Sequence, residues 1–376
     1  MLFLNNFNQK FSAKLLVIQK LFYSMSKILG IIGGGQLGMM LTEAAQNLDN
    51  ISKIIVLDPT ENCPAAKVGA QQIIADFKDE DAIRKLSELS DIITYEIESG
   101  NSDVLKKLEE HTEINPSPDT LKIIQDKLLQ KQFLKKNGIA VADFVKVENK
   151  DEINQMIDKM GLPLLLKTRR DAYDGRGNYK INSKLDIDNA LDLFAGKSLM
   201  VEKFVKFEKE VSVIAARNTK GEIATYPVVE NIHENNILRT TIAPGRVSEN
   251  VKKQAEEIAE KTMEVLHGAG VFGIEMFVTK DDEILINEIA PRVHNSGHLT
   301  INAYNVSQFE NHVRAVCGLE QIPLKKISNA TMVNLIGDQI SNYRKFPKFK
   351  DNEFFFDYLK KEIKEKRKMG HITTLI

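Results

Sequence analysis

The chain has 376 residues, of which 43% are hydrophobic and 27% are charged, and its formal net charge is −1. This length allows two or three domains with sizeable cores, and the balanced charge argues against a nucleic-acid-binding surface. No apolar run in the sequence is long enough to span a bilayer. The two cysteines, Cys63 and Cys317, have no C-x-x-C partner, so we expect a protein of the reducing cytoplasm without a cysteine metal site.

The first 25 residues differ from the rest of the chain. They contain several lysines but no acidic residue or arginine, and they have neither a sustained apolar segment nor an A-x-A cleavage site. Met25 stands directly before the first predicted strand. We therefore expect residues 1–25 to be a disordered or non-native extension rather than a targeting segment.

The stretch KILGIIGGGQLGMM predicts an apolar strand, a glycine turn and a helix. Gly33, Gly35 and Gly38 have the G-x-G-x-x-G spacing, and a second predicted strand ends at Asp58. Taken alone, this pattern predicts a dinucleotide-binding oxidoreductase. Strands and helices continue to alternate through DIITYEIES, which predicts a parallel, doubly wound sheet.

The segment LPLLLKTRRDAYDGRGNYKI predicts a hairpin whose first strand ends on Lys167. Its glycine-rich loop carries Arg169, Arg170 and Arg176. Glycines let a backbone approach phosphates and arginines supply charge-assisted donors, so this loop could cover a nucleotide. A solvated turn is the alternative interpretation.

The segment GVFGIEMFVTKDDEILINEIAPRVHNSGH predicts an antiparallel hairpin around the turn KDDE. This pairing places Glu275 opposite Asn287 or Glu288. Two buried carboxylates on neighbouring strands repel each other unless a cation lies between them. Because hard oxygen ligands suit Mg²⁺ bridged to nucleotide phosphates, we interpret the pair as a metal site; an accidental surface hairpin is the alternative.

These motifs, in this order, are similar to those of a known family. GIIGGGQLGMM, TYEIES, AYDGRG, NEIAPRVHNSGH, SQFENHVRAV, MVNLIG and RKMGHIT cover nearly all of the chain from Ile28 to Thr373. The set resembles the ATP-grasp ligases, and within them the enzymes that carboxylate aminoimidazole ribonucleotide in purine biosynthesis. The resemblance implies a mixed α/β and α+β architecture with a Rossmann-like, substrate-binding pre-ATP-grasp domain at 26–120, an ATP-grasp domain at 121–318 with a mobile subdomain at about 145–205, and a small C-terminal domain at 319–376.

The resemblance also implies which residues bind ATP and Mg²⁺. Lys127 and Lys167 match positions that contact the phosphates, the segment 202–205 matches the adenine hinge, and Glu210 matches the ribose-binding acid. The metal ligands would be Glu275 and Glu288. The full set implied for ATP is Lys127, Lys167, Ala172, Tyr173, Asp174, Gly175, Arg176, Gly177, Asn178, Glu202, Lys203, Phe204, Val205, Glu210, His233, Asn287 and Glu288.

For the acceptor substrate, the resemblance implies that the glycine turn binds a ribonucleotide phosphate instead of a dinucleotide. Because Asp58 is followed at once by PTENCPA, we interpret it as capping a strand end. The family places Tyr173, Asp174 and Arg176 at the carboxylation site, with Arg176 on the bicarbonate-derived anion and Asp174 as proton acceptor. The residues implied for the substrate are Gly34, Gly35, Gln36, Leu37, Glu96, Glu98, His294, Asn295, Ser296, Lys361, Arg367 and Lys368.

The expected reaction joins bicarbonate to 5-aminoimidazole ribonucleotide through carboxyphosphate, with ATP converted to ADP and phosphate. The resemblance implies a homodimer with small-molecule substrates, and neither nucleic acid nor a membrane as partner. Two alternatives are a sister ATP-grasp ligase that joins formate to glycinamide ribonucleotide and, from another class, an NAD-dependent oxidoreductase.

Overall fold

The structure is a computed structural model that describes residues 26–171 and 177–376. Within these residues, three β-sheets carry helices on their faces. The strands are β1 (Lys27–Ile32), β2 (Ile51–Leu57), β3 (Gln71–Ile73), β4 (Ile92–Tyr95), β5 (Glu113–Ile114), β6 (Phe144–Val147), β7 (Leu164–Thr168), β8 (Asn178–Ile181), β9 (Leu199–Lys203), β10 (Phe207–Arg217), β11 (Ile223–Thr225), β12 (Val229–Glu234), β13 (Ile237–Ala243), β14 (Gly270–Thr279), β15 (Ile284–Ala290), β16 (Ala330–Ile336), β17 (Glu353–Asp357) and β18 (Lys368–Leu375). The helices are α1 (Gln36–Gln46), α2 (Pro64–Lys67), α3 (Glu80–Glu88), α4 (Ser102–Leu108), α5 (Pro118–Ile124), α6 (Lys127–Lys136), α7 (Lys150–Met160), α8 (Asp186–Leu193), α9 (Glu249–Val265), α10 (Thr300–Ala303), α11 (Gln308–Val316) and α12 (Gln339–Lys345).

The N-terminal sheet has the strand order β3-β2-β1-β4-β5, and all of its pairings are parallel. This confirms the predicted doubly wound sheet. Its central strands are apolar and buried because helices cover both faces. The glycine turn places α1 directly against the end of β1: a Cβ added at Gly38 would lie 2.4 Å from the Gly33 carbonyl oxygen, so only glycine permits this close packing.

A smaller sheet has the order β6-β9-β7-β8. Strands β7 and β8 are antiparallel, with Lys167 opposite Asn178, which confirms the hairpin predicted for this segment. Leu164, Leu166 and Val201 form part of its buried core. The loop residues 172–176 lie outside the described residues, as does the segment 1–25.

The largest sheet continues from the ATP-grasp segment into the C-terminal segment. It has the order β15-β14-β10-β12-β13-β16-β18-β17, with β11 paired to β10. The crossing point is the antiparallel pair β13–β16, in which Thr240 is opposite Val333. Strands from both sides of the domain boundary predicted between residues 318 and 319 therefore belong to one continuous sheet. The C-terminal strands are hydrogen-bonded to the strands that carry the candidate site.

Two further observations concern the class of protein. No helix in the ranges 26–171 and 177–376 is long and apolar enough to cross a membrane. Cys63 and Cys317 are both free and buried.

Candidate active site

One large cavity of about 1630 Å³ lies where the N-terminal sheet, the hairpin β14–β15 and the C-terminal segment meet. Most of the predicted site residues line it, although they come from distant parts of the sequence. Those that line the cavity are Gly35, Gln36, Leu37, Glu96, Glu98, Lys127, Lys167, Asn178, Phe204, Glu210, His233, Glu275, Asn287, Glu288, His294, Asn295, Arg367 and Lys368. Among the described residues, those predicted for the site but absent from its walls are Gly34, Gly177, Glu202, Lys203, Val205, Ser296 and Lys361.

At the glycine turn, two backbone amides are already bound by carboxylates. The Gly34 amide donates to Asp58 Oδ2 at 2.9 Å, and the Gly35 amide donates to Glu96 Oε1 at 2.8 Å. The expectation that these two amides hold a substrate phosphate is therefore corrected. The amides of Gln36 and Leu37, at the first positions of α1, have no acceptor within the helix and remain suited to an anion.

Glu96 is a buried carboxyl at this end of the cavity. Burial raises its pKa from 4.5 to about 7, although Arg292 and the Gly35 amide oppose the shift. Its side chain also packs against the turn, since a Cβ added at Gly35 would lie 2.8 Å from Glu96 Oε1. Glu96 therefore changes charge near neutral pH beside the proposed substrate.

This raised pKa predicts how stability depends on pH. An acid whose pKa is raised by folding stabilises the protein below its ordinary pKa, and this contribution disappears as pH rises through the folded value. For Glu96, the free energy of unfolding therefore falls as the pH rises from 4.5 to about 7. The expected decrease is about 3 kcal/mol. We expect Glu96→Gln to make the decline in urea unfolding from pH 5 to 8 shallower by this amount and to leave the similar contribution of Glu275, whereas the exposed Glu61→Gln keeps the wild-type slope. Equal slopes in wild type and Glu96→Gln would contradict the prediction.

The carboxylate hairpin has the predicted form. Strands β14 and β15 are antiparallel, and the register pairs Glu275 with Glu288 rather than with Asn287. Burial raises the pKa of Glu275 to about 7, against the effect of His233, and the negative charge of Glu288 adds to the shift. Burial acts on Glu288 as well, but Lys127, 2.5 Å from Glu288 Oε1, outweighs it and lowers the Glu288 pKa.

This donor set fits Mg²⁺. The ion is usually held in proteins by one or two carboxylates and completes its shell with waters and substrate phosphates. No cluster of three or more histidine, cysteine, aspartate or glutamate side chains suited to a metal occurs in the described parts of the chain. A cross-strand pair open to the cavity therefore suits an ion that arrives with a nucleotide better than a closed structural site.

Two histidines stand beside these carboxylates. His233 Nδ1 lies 2.9 Å from Glu210 Oε2, and His294 Nε2 lies 3.2 Å from Glu275 Oε1. Burial lowers the His233 pKa, but the Glu210 carboxylate outweighs this effect and raises it. Burial and the nearby Arg292 hold the His294 pKa well below its usual range, so His294 is neutral at pH 7.

The structure places the members of the predicted adenine hinge, residues 202–205, in different surroundings. The Glu202 side chain is 1% exposed and turns inward, where Lys167 Nζ donates to its Oε1 at 3.0 Å. Any contribution of Glu202 to adenine binding would therefore come from its backbone, while Phe204 and Phe207 present rings to the cavity. Lys203 and Val205 do not line the cavity.

Arg169 and Arg170, which precede the glycine-rich loop, both bind the carboxylate of Asp126. Arg169 donates to both carboxylate oxygens of Asp126, at 3.0 and 2.6 Å, and Arg170 Nε donates to Asp126 Oδ2 at 3.3 Å. Asp126 also caps α6 by accepting from its first amides. These arginines therefore fix the base of the loop to α6. The predicted ligands at Ala172, Tyr173, Asp174, Gly175 and Arg176 lie outside the described residues.

Two predicted substrate residues are corrected. Ser296 is fully buried, and its hydroxyl accepts from Ser212 at 2.8 Å and lies 2.9 Å from His294 Nδ1, so it supports His294 from behind. Lys361 is exposed and outside the cavity, whereas the adjacent Lys360 lines it and donates to Gln36 Oε1. In an irregular segment, neighbouring side chains project in different directions, and sequence alone does not select between them.

Sequence reasoning missed Arg292, which lines the cavity between its two ends. Its Nη2 lies 2.8 Å from Glu98 Oε1, and its positive charge lowers the pKa of both Glu96 and Glu288. The signal was present, since Arg292 belongs to the motif NEIAPRVHNSGH, between the carboxylate hairpin and His294.

Comparison with known proteins agrees with this arrangement. The ribonucleotide synthetase preATP-grasp domain matches residues 25–125, the ATP-grasp domain matches 132–309, and the phosphoribosylaminoimidazole carboxylase C-terminal domain matches 330–376. The fold and site thus define an ATP-grasp enzyme. The chain belongs to the N5-carboxyaminoimidazole ribonucleotide synthase family.

Individual relatives show how far the similarity extends. The N5-carboxyaminoimidazole ribonucleotide synthase of Bacillus subtilis is 40% identical over 92% of this chain and 90% of its own length. The phosphoribosylaminoimidazole carboxylase of Candida albicans is 42% identical over 93% of this chain, which spans 64% of that longer protein. The crystal structure of the Aspergillus clavatus N5-carboxyaminoimidazole synthase in complex with ADP and 5-aminoimidazole ribonucleotide superimposes with a TM-score of 0.88, at 36% identity and 94% coverage of each chain. The formate ligase and oxidoreductase alternatives are not favoured.

Proposed function

We propose that this enzyme uses ATP and bicarbonate to carboxylate 5-aminoimidazole ribonucleotide in purine biosynthesis, in the reducing cytoplasm. The observation that carries the proposal is that one cavity has a carboxylate pair and lysines at one end and the glycine turn at the other. The first end suits a nucleotide with its metal, and the second suits a phosphorylated acceptor. One cavity that holds both allows an activated carboxylate to pass between them without entering bulk water.

The nucleotide end would work chiefly by neutralising charge. Lys127 and Lys167 offer ammonium groups to the phosphates, and Glu275 and Glu288 would hold Mg²⁺, which offsets the charge that spreads over the transferred phosphoryl group. Phe204 provides an apolar surface for the base. Attack of bicarbonate on the γ-phosphate then gives carboxyphosphate and ADP.

At the other end, the chain would bind and orient the acceptor. The amides of Gln36 and Leu37 and the cationic C-terminal residues Arg367 and Lys368 offer donors to the ribonucleotide phosphate. His294 and Asn295 also line the cavity. We propose that Arg176 holds the bicarbonate-derived anion and that Asp174 accepts a proton from the exocyclic amine, as the family resemblance implies.

The experiment that tests the proposal is an assay of ADP release with purified protein, ATP and Mg²⁺. We expect ADP release to require bicarbonate and to rise when 5-aminoimidazole ribonucleotide is added, with one carboxylated product formed for each ADP. Omission of each component in turn provides the controls. Stimulation by formate with glycinamide ribonucleotide, or binding of NADH in place of ATP, would overturn the proposal.

We further propose that the enzyme is a homodimer that uses the outer face of the large sheet. Registered neighbours on five strands form an uncharged row, Ile232, Thr240, Val333, Ile372 and Phe355. Ile232 is 37% exposed and Val333 is 38% exposed. An uncharged, largely apolar row of this kind buries well against a second copy of itself around a two-fold axis.

A charge placed in this row should therefore separate the protomers. We expect wild type to sediment as a dimer and Val333→Glu to sediment as a folded monomer, because the carboxylate would be buried without a partner. Leu185→Glu is the matched control, since Leu185 is 86% exposed and lies in the small sheet's segment. A monomeric wild type, or a dimeric Val333→Glu, would exclude this face as the interface.

A further inference from the structure

A buried lysine outside the predicted site lies directly behind the nucleotide end of the cavity. Lys131 is on α6, one turn after Lys127, so the two side chains share a helix face. The Lys127 side chain is 15% exposed and faces Glu288, whereas that of Lys131 is 3% exposed. Lys127 and Lys167 line the cavity but Lys131 does not, so Lys131 does not face the nucleotide itself.

Lys131 joins the two strands that carry the proposed nucleotide ligands. Its Nζ lies 3.0 Å from Glu202 Oε2 on β9 and 3.4 Å from the backbone oxygen of Asn287 on β15. The other oxygen of Glu202 accepts from Lys167 Nζ, also at 3.0 Å. One fully buried carboxylate thus lies between two lysines, each of which occupies one of its oxygens.

The charges of this group determine what Lys167 can offer to a phosphate. Lys131 and Lys167 together carry two positive charges against the single negative charge of Glu202, which leaves one positive charge in excess. Without Lys131 the excess would fall to zero, and both oxygens of Glu202 would be available to hold Lys167. In a site screened from water, such a change acts strongly on a polyanion nearby.

We propose that Lys131 is a positioning residue that neutralises Glu202 and so leaves the Lys167 ammonium available to the phosphates of ATP. The inference rests on the proposed function, since it takes ATP as the ligand of this cavity. It makes a distinctive prediction: the effect of removing Lys131 depends on the ligand's phosphate charge and not on its adenine ring. A lysine that served only to support the fold would affect both parts of the ligand equally.

The test measures dissociation constants for ATP and adenosine by calorimetry in wild type and Lys131→Met. We expect ATP to bind about 10- to 100-fold more weakly to the variant, a range comparable with the loss of an outer-shell partner of a charged site, while adenosine affinity changes little. Lys136→Met, at an exposed position on the same helix, is the matched control. Equal losses for ATP and adenosine, or an unchanged ATP affinity in the folded variant, would overturn the proposal.

A double variant separates charge from packing. Lys131→Met with Glu202→Gln removes one positive and one negative charge, so the excess around Lys167 returns to one. We expect the double variant to recover most of the ATP affinity that Lys131→Met loses. If the single variant does not fold, the ATP affinity of the double variant is compared directly with that of wild type. A folded double variant that binds ATP as weakly as Lys131→Met, or ten times more weakly than wild type, would overturn the proposal. Failure of wild type to bind ATP would instead count against the proposed function.

Discussion

Glu288→Gln is expected to reduce ATP-dependent turnover by about 100-fold or more, because loss of a direct metal ligand should exceed the roughly 10- to 100-fold cost of losing an outer-shell partner. Glu288 lies opposite Glu275 across the β14–β15 pair and within ion-pair distance of Lys127. Glutamine has nearly the same shape, so the change removes an anionic oxygen without opening a cavity. It also leaves Lys127 without its carboxylate partner.

The measurement is ADP release as a function of Mg²⁺ concentration, with urea unfolding as a check on the fold. A ligand defect should raise the Mg²⁺ concentration needed for half-maximal turnover, and unfolding should change little because the hairpin packs through apolar residues such as Ile274, Ile286 and Ile289. Glu283→Gln, at an exposed position in the same hairpin, is the control. Normal turnover of Glu288→Gln at ordinary Mg²⁺ would show that the carboxylate pair does not hold the metal.

The hairpin also shows what a sequence can predict about such a site. Alternation along β14 and β15 and the short turn between them restrict Glu275 to two possible partners. Whether Asn287 or Glu288 lies opposite Glu275 depends on a register shift between Glu275 and Met276, and no local sequence pattern predicts this shift. The parallel N-terminal sheet, by contrast, follows from apolar strands that alternate with helices. The sequence predicts its three central strands, β2, β1 and β4, but not the short edge strands β3 and β5.

Other features of the site depend on contacts between residues that are far apart in sequence. The glycine turn correctly indicates a helix N-terminus, but Asp58 and Glu96, 24 and 61 residues away, occupy its Gly34 and Gly35 amides. The inward turn of Glu202 depends in the same way on Lys131 from another element. Such pairings arise when separate elements pack together, so they are absent from any single stretch of sequence.

Arg292→Ala is expected to lower the rate of carboxylation by about 30- to 1,000-fold, equivalent to roughly 2–4 kcal/mol of transition-state stabilisation, while ADP affinity stays nearly unchanged. Arg292 lies between the nucleotide and acceptor ends, and its charge acts on Glu96 at one end and Glu288 at the other. In addition to the contact proposed for Arg176, a guanidinium at this point can hold the anion that passes from ATP to the acceptor amine. Arg292→Lys should restore only part of the rate, because lysine keeps the charge but loses the planar arrangement of donors.

The structure provides a close control in Arg314, whose ion pair with Glu310 on α11 matches that of Arg292 with Glu98. Both pairs measure 2.8 Å, with side-chain exposures of 19% and 29% for Arg314 and Glu310, and 19% and 30% for Arg292 and Glu98. Arg314 lies outside the cavity, so Arg314→Ala removes an equivalent ion pair without removing a cation from the reaction path. Calorimetric ADP binding and bicarbonate-dependent carboxylation should be measured for both variants. If Arg314→Ala lost as much carboxylation as Arg292→Ala, or if Arg292→Ala lost ADP binding in proportion, the role of Arg292 would be stability or nucleotide binding instead of anion transfer.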